Sequence, residues 1–184
     1  MGAPDSLAPG FLIAVPQLRD PNFRQSVVLL LQQGPEGTLG VVINRESPLF
    51  LRDLCRDHDI PYAGDPGKRV RQGGPVQPEQ GLVIYGAEHE DPEGRPVVDG
   101  LHVSASTGTL TRLCTLTTSR FHCYAGYAGW GPGQLEREFQ EGSWILRPVD
   151  TRLVLDHSPL EIWSRALRDM GLDPGAIVPG GVEA

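Results

Sequence analysis

The chain has 184 residues, with 16 basic and 23 acidic side chains and a formal net charge of −7 at pH 7. That length fits one domain, 1–184. The acidic balance disfavours direct nucleic-acid binding unless the basic residues cluster, and no apolar run approaches the ~18 residues of a membrane span.

The tight basic group is Lys68, Arg69 and Arg71, with Asp65 close by. Residues 1–9 read as a loose arm without a leader-type apolar segment. Residues 11–15 read as a strand, and Pro21 and Asn22 supply a bend. Residues 26–32 and 38–44 are continuous apolar strands, as in a sheet covered on both faces. Gly34-Pro35-Glu36-Gly37 between them predicts a hairpin with a loop of about four residues. Pro48 is expected to open a short helix through Asp57.

Residues 61–68 read as loop. Short strands are expected at 70–72 and 81–85, on either side of Gly73-Gly74-Pro75. Residues 88–94 read as an acidic surface turn, 101–103 as a strand, and 107–118 leave helix and strand open. Residues 121–127 read as a strand leading to a glycine-rich turn. Pro132 suits the first position of a helix through Gln140. Residues 144–146 read as a strand. At 159–170 the apolar residues Leu160, Trp163, Leu167 and Met170 mark an amphipathic helix. Residues 172–184 read as a frayed tail. Short strands with a few helices between them predict one mixed α/β (α+β) domain on a largely antiparallel sheet.

Three segments now combine. Asp20-Pro21-Asn22-Phe23 precedes the strands Ser26–Leu30 and Gly40–Arg45. Gly73-Gly74-Pro75-Val76 follows, and then the run Gly126-Tyr127-Ala128-Gly129-Trp130-Gly131-Pro132-Gly133-Gln134-Leu135-Glu136. In that order they resemble the bacterial YqgE/AlgH family, from about residue 9 to residue 171. The resemblance implies a sheet curled into a partial barrel with flanking helices. The family's biochemical activity is not established, and the AlgH name carries a label of transcriptional regulator. Departures from the family pattern fall at Gln32-Gln33, where an acidic residue and a histidine are common, at Glu46, where proline is common, and at Tyr85, where a histidine is common, so roles of those family histidines do not carry over.

The candidate ligand- or partner-binding residues are Asn44, Arg45, Gly73, Gly74, Pro75, Tyr127, Gly129, Trp130 and Gln134. A helix opening at Pro132 points free N–H groups toward Trp130 and can hold an anion. Tyr127 and Trp130 add aromatic faces and Gln134 an amide. Asn44 and Arg45 end a strand where they can grip a carboxylate or phosphate. Each has a structural alternative, which is favoured: a tight turn with Trp130 in the core, a turn cap at Asn44 with Arg45 paired to a surface acid, a turn at Gly73–Pro75.

Adjacent His122 and Cys123 face opposite sides of a strand, which counts against a catalytic dyad. Gly-x-Ser-x-Gly is absent, and His58 and His89 lack metal-ligand spacing. No cofactor or metal is expected. The three cysteines, Cys55, Cys114 and Cys123, form no CxxC pair and fit a reducing cytosol. The expected function is a non-enzymatic, regulatory ligand- or partner-binding protein, a monomer or small homo-oligomer with no membrane association, bound to an unknown protein or a small anionic ligand. The alternatives are an enzyme acting on a small anionic substrate held by Arg45 and the Pro132 helix start, and, more weakly, a transcriptional regulator.

Overall fold

The computed structural model describes residues 6–175. Residues 1–5 of the expected arm and 176–184 of the expected tail lie outside the described residues. The described end of the arm is tied down: Leu7 and Ala8 pack on the core, and the Leu7 N–H donates to Gln33 Oε1.

The strands are β1 (Gly10–Ala14), β2 (Val27–Gly34), β3 (Gly37–Val42), β4 (Glu46–Phe50), β5 (Arg69–Gln72), β6 (Val76–Gly86), β7 (Arg95–Val98), β8 (Leu101–Ser104), β9 (Phe121–Trp130) and β10 (Trp144–Arg147). The helices are α1 (Leu51–Asp57), α2 (Thr107–Cys114), α3 (Gln134–Gln140), α4 (Thr151–Leu155) and α5 (Pro159–Arg168). The sheet runs β10-β1-β2-β3-β9-β6-β8-β7, with β4 and β5 attached to β9 off this path. All pairings are antiparallel except β5 with β9. The result is a curled half-barrel of mixed α+β class.

Both faces of the sheet are covered, which accounts for the continuous apolar runs. On one face Phe11, Ile13, Val27, Leu29, Ile84 and Tyr124 pack against Leu153 and Val154 of α4 and Ile162, Trp163 and Leu167 of α5. On the other face two separate clusters form. Leu12, Val28, Leu30, Trp130 and Trp144 pack around Leu135 of α3. Val83, Phe121 and Cys123 pack beneath Leu51 and Cys55 of α1 and Leu113 and Cys114 of α2. His122 lies on the α4 face, where its Nε2 meets the Leu155 carbonyl at 3.2 Å, so neighbouring His122 and Cys123 are separated by the sheet.

Several expectations need correction. Pro48 lies in β4, not in a helix; its ring removes an N–H, and the helix begins at Leu51. The hairpin loop is shorter than expected, because Gly34 pairs with Gly37 and leaves Pro35 and Glu36 as the turn. The glycine-rich segment after residue 127 is not a turn: β9 continues through it to Trp130 and pairs with β3. α3 begins at Gln134 after Gly133, whose φ is +75°, rather than at Pro132. The ambiguous stretch 107–118 holds α2, capped by Ser106 Oγ accepting from the Gly108 N–H.

The acidic turn at 88–94 does not only face solvent. The Asp91 carboxylate is 3% exposed. It accepts hydrogen bonds from Tyr85 Oη and the Glu93 N–H, each at 3.0 Å, and from Thr109 Oγ1, and it pairs with Arg112. Burial alone pushes this carboxyl up. The bonds from Thr109, Glu93 and Tyr85, with the Arg112 charge, outweigh that and hold it below its ordinary value.

In α5 the buried set is Pro159, Ile162, Trp163, Ala166 and Leu167; of the expected stripe Trp163 and Leu167 belong to it, Met170 packs half-buried against the same core, and Leu160 does not face inward. Leu160 is 92% exposed. Trp163 Nε1 donates to the Ala14 carbonyl at 2.8 Å and fixes the helix on β1.

Leu167→Ala is expected to lower unfolding free energy by about 2–5 kcal/mol, whereas Leu160→Ser stays within about 0.5 kcal/mol, as read by urea denaturation. A carboxyl held low in the folded state stabilises above its unfolded value and loses that contribution as pH falls through the folded one. Asp91→Asn is therefore expected to cost about 1–3 kcal/mol at neutral pH, with the gap to wild type closing below about pH 4 in denaturation series across pH.

Candidate functional site

The signature segments meet in one place. Phe23 stacks on Trp130 with ring centroids 5.6 Å apart, and Trp144 stands edge-on to Trp130 at 6.1 Å. The Trp130 indole is 4% exposed, and its Nε1 donates to Glu138 Oε2 at 2.8 Å. Trp144 Nε1 donates to the same oxygen at 3.0 Å. Gln134 closes the start of α3 from within: its Oε1 accepts from the Gly131 N–H at 3.1 Å, and its Nε2 donates to Glu138 at 3.3 Å.

One residue before Phe23, Asn22 borders a small hollow with Val42, Arg45, Gln72, Gly74 and Pro75. Its volume of about 20 Å³ admits about one water molecule. Arg45 Nη2 donates to the Arg24 carbonyl at 3.0 Å. Asn44 ties the hairpin end: its Oδ1 accepts from the Val27 N–H at 2.9 Å, and its Nδ2 donates to the Gln25 carbonyl at 2.8 Å.

Gly73 and Gly74 lie against β9. A Cβ on Gly73 would stand 2.3 Å from the Gly126 oxygen, and one on Gly74 would stand 2.2 Å from the Tyr127 carbonyl. Tyr127 is half-buried and pairs with Val76, while Gly129 pairs with Leu39. The structure thus brings Arg45, Gly74 and Pro75 to one hollow, with the Tyr127 backbone behind it. Trp130 and Gln134 sit apart, around Glu138.

A roomier cleft of about 290 Å³ opens between α1, α2 and β6. Its buried base is Ile60, Val83 and Cys123, and Leu54, Leu82 and Leu110 form half-buried walls. His58, Glu79 and Gln80 stand exposed at the mouth, with Ser106 and Thr107 from the start of α2. Burial pushes the Cys123 thiol up to about 12, with the nearby Cys55 adding to the rise. At neutral pH it is a protonated, apolar floor rather than a nucleophile. The sequence hid this cleft because 107–118 did not declare itself a helix. Its one readable signal was Ser106, a good N-cap residue.

Among the described residues, no three His, Cys, Asp or Glu side chains are grouped to hold a metal ion. None of the described helices is long and apolar enough to cross a membrane.

Comparison with known proteins agrees with this architecture. The AlgH-like family model matches residues 11–175. A UPF0301 protein of Myxococcus xanthus is 43% identical, over 95% of this chain and 97% of its own length. One from Anaeromyxobacter sp. (strain Fw109-5) is 40% identical over 97% and 96%. The solution structure of AlgH from Pseudomonas aeruginosa matches with a TM-score of 0.77 and 31% identity, covering 94% of this chain and 93% of that one. A crystal structure from Corynebacterium diphtheriae shares the fold at a TM-score of 0.76 and 21% identity, covering 92% and 90%. The matched span takes in every strand and helix from Phe11 onward and all the signature segments, and the chain belongs to the AlgH-like family.

Proposed function

We propose that this AlgH-like protein is a non-enzymatic ligand-binding protein of the cytosol with a regulatory role, and that its ligand occupies the cleft between α1, α2 and β6. The observation that carries the reading is the cleft itself. At about 290 Å³ it is close to the lower bound for small-molecule sites, and it has an apolar base with a few polar groups at the mouth. That lining suits a compact ligand with an apolar body and one polar or charged end. The raised Cys123 thiol on the floor argues for binding over covalent catalysis.

The regulatory role follows from where the ligand would sit. Both helices that wall the cleft are short, seven and eight residues. They touch each other through Cys55 and Cys114, whose sulfurs are 3.4 Å apart. A ligand wedged between them and β6 favours one placement of that pair, and a protein partner reading the outer helix faces would sense occupancy. The cysteines are free thiols, in keeping with a reducing compartment. The anionic-substrate reading draws less support, since the hollow beside Arg45 admits about one water and Gln134 fills the start of α3.

The dye 8-anilinonaphthalene-1-sulfonate, an apolar body with one anionic end, is expected to bind the folded protein with enhanced fluorescence. Leu110→Trp and Ala105→Phe, each filling the cleft, are expected to weaken that binding more than about tenfold while leaving thermal unfolding close to wild type. Undiminished dye affinity in both folded variants would reject the cleft as the binding site.

A further inference from the structure

A second cleft, of about 470 Å³, lies where the loop before β5 faces the start of β9. It is lined by Tyr62, Asp65, Lys68, Glu88, His89 and the segment 117–121. Lys68 is the only lysine in the chain. It is half-buried in this cleft, its Nζ donates to the Phe121 carbonyl, and Nζ lies 3.9 Å from the centroid of the Phe121 ring. No carboxylate among the described residues comes within salt-bridge distance of it. An amine in a cleft, hydrogen-bonded to one carbonyl and paired with no acid, is unusual for a side chain that ordinarily extends into water.

We propose that the Lys68 amine is a capture site for short hydroxyaldehydes, which it holds as an imine in this second cleft. The proposal concerns a different cleft from the one argued above and does not depend on it. In the step itself the neutral nitrogen attacks the carbonyl carbon. A C–N bond forms as the carbonyl π pair moves to oxygen, the oxygen gains a proton and the nitrogen loses one. The carbinolamine then expels water to leave C=N. Amine and aldehyde give imine and water, with no oxidant or reductant. Glu88 and His89 line the same cleft and can carry the protons.

The environment raises the share of the neutral, reactive form. Desolvation lowers the Lys68 amine from its ordinary 10.5 to about 8, and the Arg71 guanidinium adds to the shift. Asp65, Cys114 and Cys123 pull weakly the other way. A neutral amine that donates one N–H to Phe121 keeps its lone pair for a carbonyl carbon. The lining also selects the class of carbonyl. Arg120, the other cation of the cleft, is held by Asp156 at 2.7 Å and Glu88 at 3.4 Å, so a keto acid's carboxylate has no free cation. Thr117 and Thr118 offer hydroxyls to a hydroxylated ligand instead.

The test uses the full-length protein with glycolaldehyde and cyanoborohydride near pH 7, with adducts located by peptide mass mapping. Reduction at Lys68 is expected to proceed more than about tenfold faster than on free Nα-acetyl-lysine amide, and to saturate with glycolaldehyde concentration. Lys68→Arg, which keeps the charge over the Phe121 ring, is expected to lose the internal adduct and leave only slow reaction at the chain's α-amino group. A rate at Lys68 no faster than the free amine would overturn the proposal. A fast rate without saturation would also overturn it, as it would mark an activated amine with no aldehyde site.

Discussion

Everything in this fold turns on one backbone crossing. Gly73 and Gly74, between β5 and β6, lie directly on Gly126 and Tyr127 in the middle of β9. A Cβ on Gly73, Gly74 or Gly126 would stand 2.2–2.4 Å from backbone atoms of the opposing segment. Gly74 and Gly126 also have φ of +153° and +77°, where other residues are strained. The Gly73 N–H donates to the Ala125 carbonyl and its own carbonyl accepts from the Val42 N–H, each at 2.8 Å, so β3, β5 and β9 are joined at this point. The chain can thus run parallel to β9 as β5, cross it, and return antiparallel along its other edge as β6. Side chains at the crossing would force the strands apart and open the sheet.

The crossing also divides the α1–α3 face of the sheet. Before Gly126, Phe121 and Cys123 support α1 and α2; after it, Ala128 and Trp130 support α3. With α4 and α5 over the opposite face, polar side chains on the covered stretches of the sheet lie away from water. Arg71 is 4% exposed and donates to the Ile43 carbonyl at 2.9 Å, beside the fully buried Tyr124. Such a cation acts on its surroundings. His122 is held well below its ordinary value by burial first and then by the charges of Arg71 and Lys68. Basic groups beside Arg71 are thus pushed toward neutrality, His122 and Lys68 alike.

How much of this was legible in sequence follows from what each pattern encodes. The β2–β3 hairpin was readable because two apolar runs flank a Gly-Pro-Glu-Gly turn, and the resemblance carried the fold. β4 was not, because Pro48 signals a helix start as readily as an edge strand. In α5 the expected Trp163, Leu167 and Met170 do face the core, but Leu160 invites inclusion as well, although only packing decides which of several adjacent apolar residues faces inward. The glycine run after residue 127 looked like a turn because glycine marks turns and close approaches alike; here β9 continues through it, and a close approach governs at Gly126. Sequence pattern drew attention to Gly73, Gly74 and Tyr127 as candidates for ligand contact but could not show that their neighbours there are other parts of the same chain.

That distinction separates the scaffold from the places where a ligand can enter. Phe23, Trp130, Gln134 and Glu138 direct their bonding capacity at one another, the Asn44 amide is taken up by the backbone of Val27 and Gln25, and the hollow that Arg45 and Pro75 border has room for about one water molecule. Groups so fully engaged have little left to offer a ligand. Free capacity collects instead beside α1 and α2, two short helices that cannot cover a twisted sheet edge to edge. One cleft opens along β6 and another toward the start of β9, and each combines a buried apolar residue, Cys123 in one and Phe121 in the other, with polar groups at its rim. The strongest sequence signature thus marks what holds the half-barrel together, while the room for a ligand lies beside inconspicuous residues such as Leu110, Ser106 and Lys68.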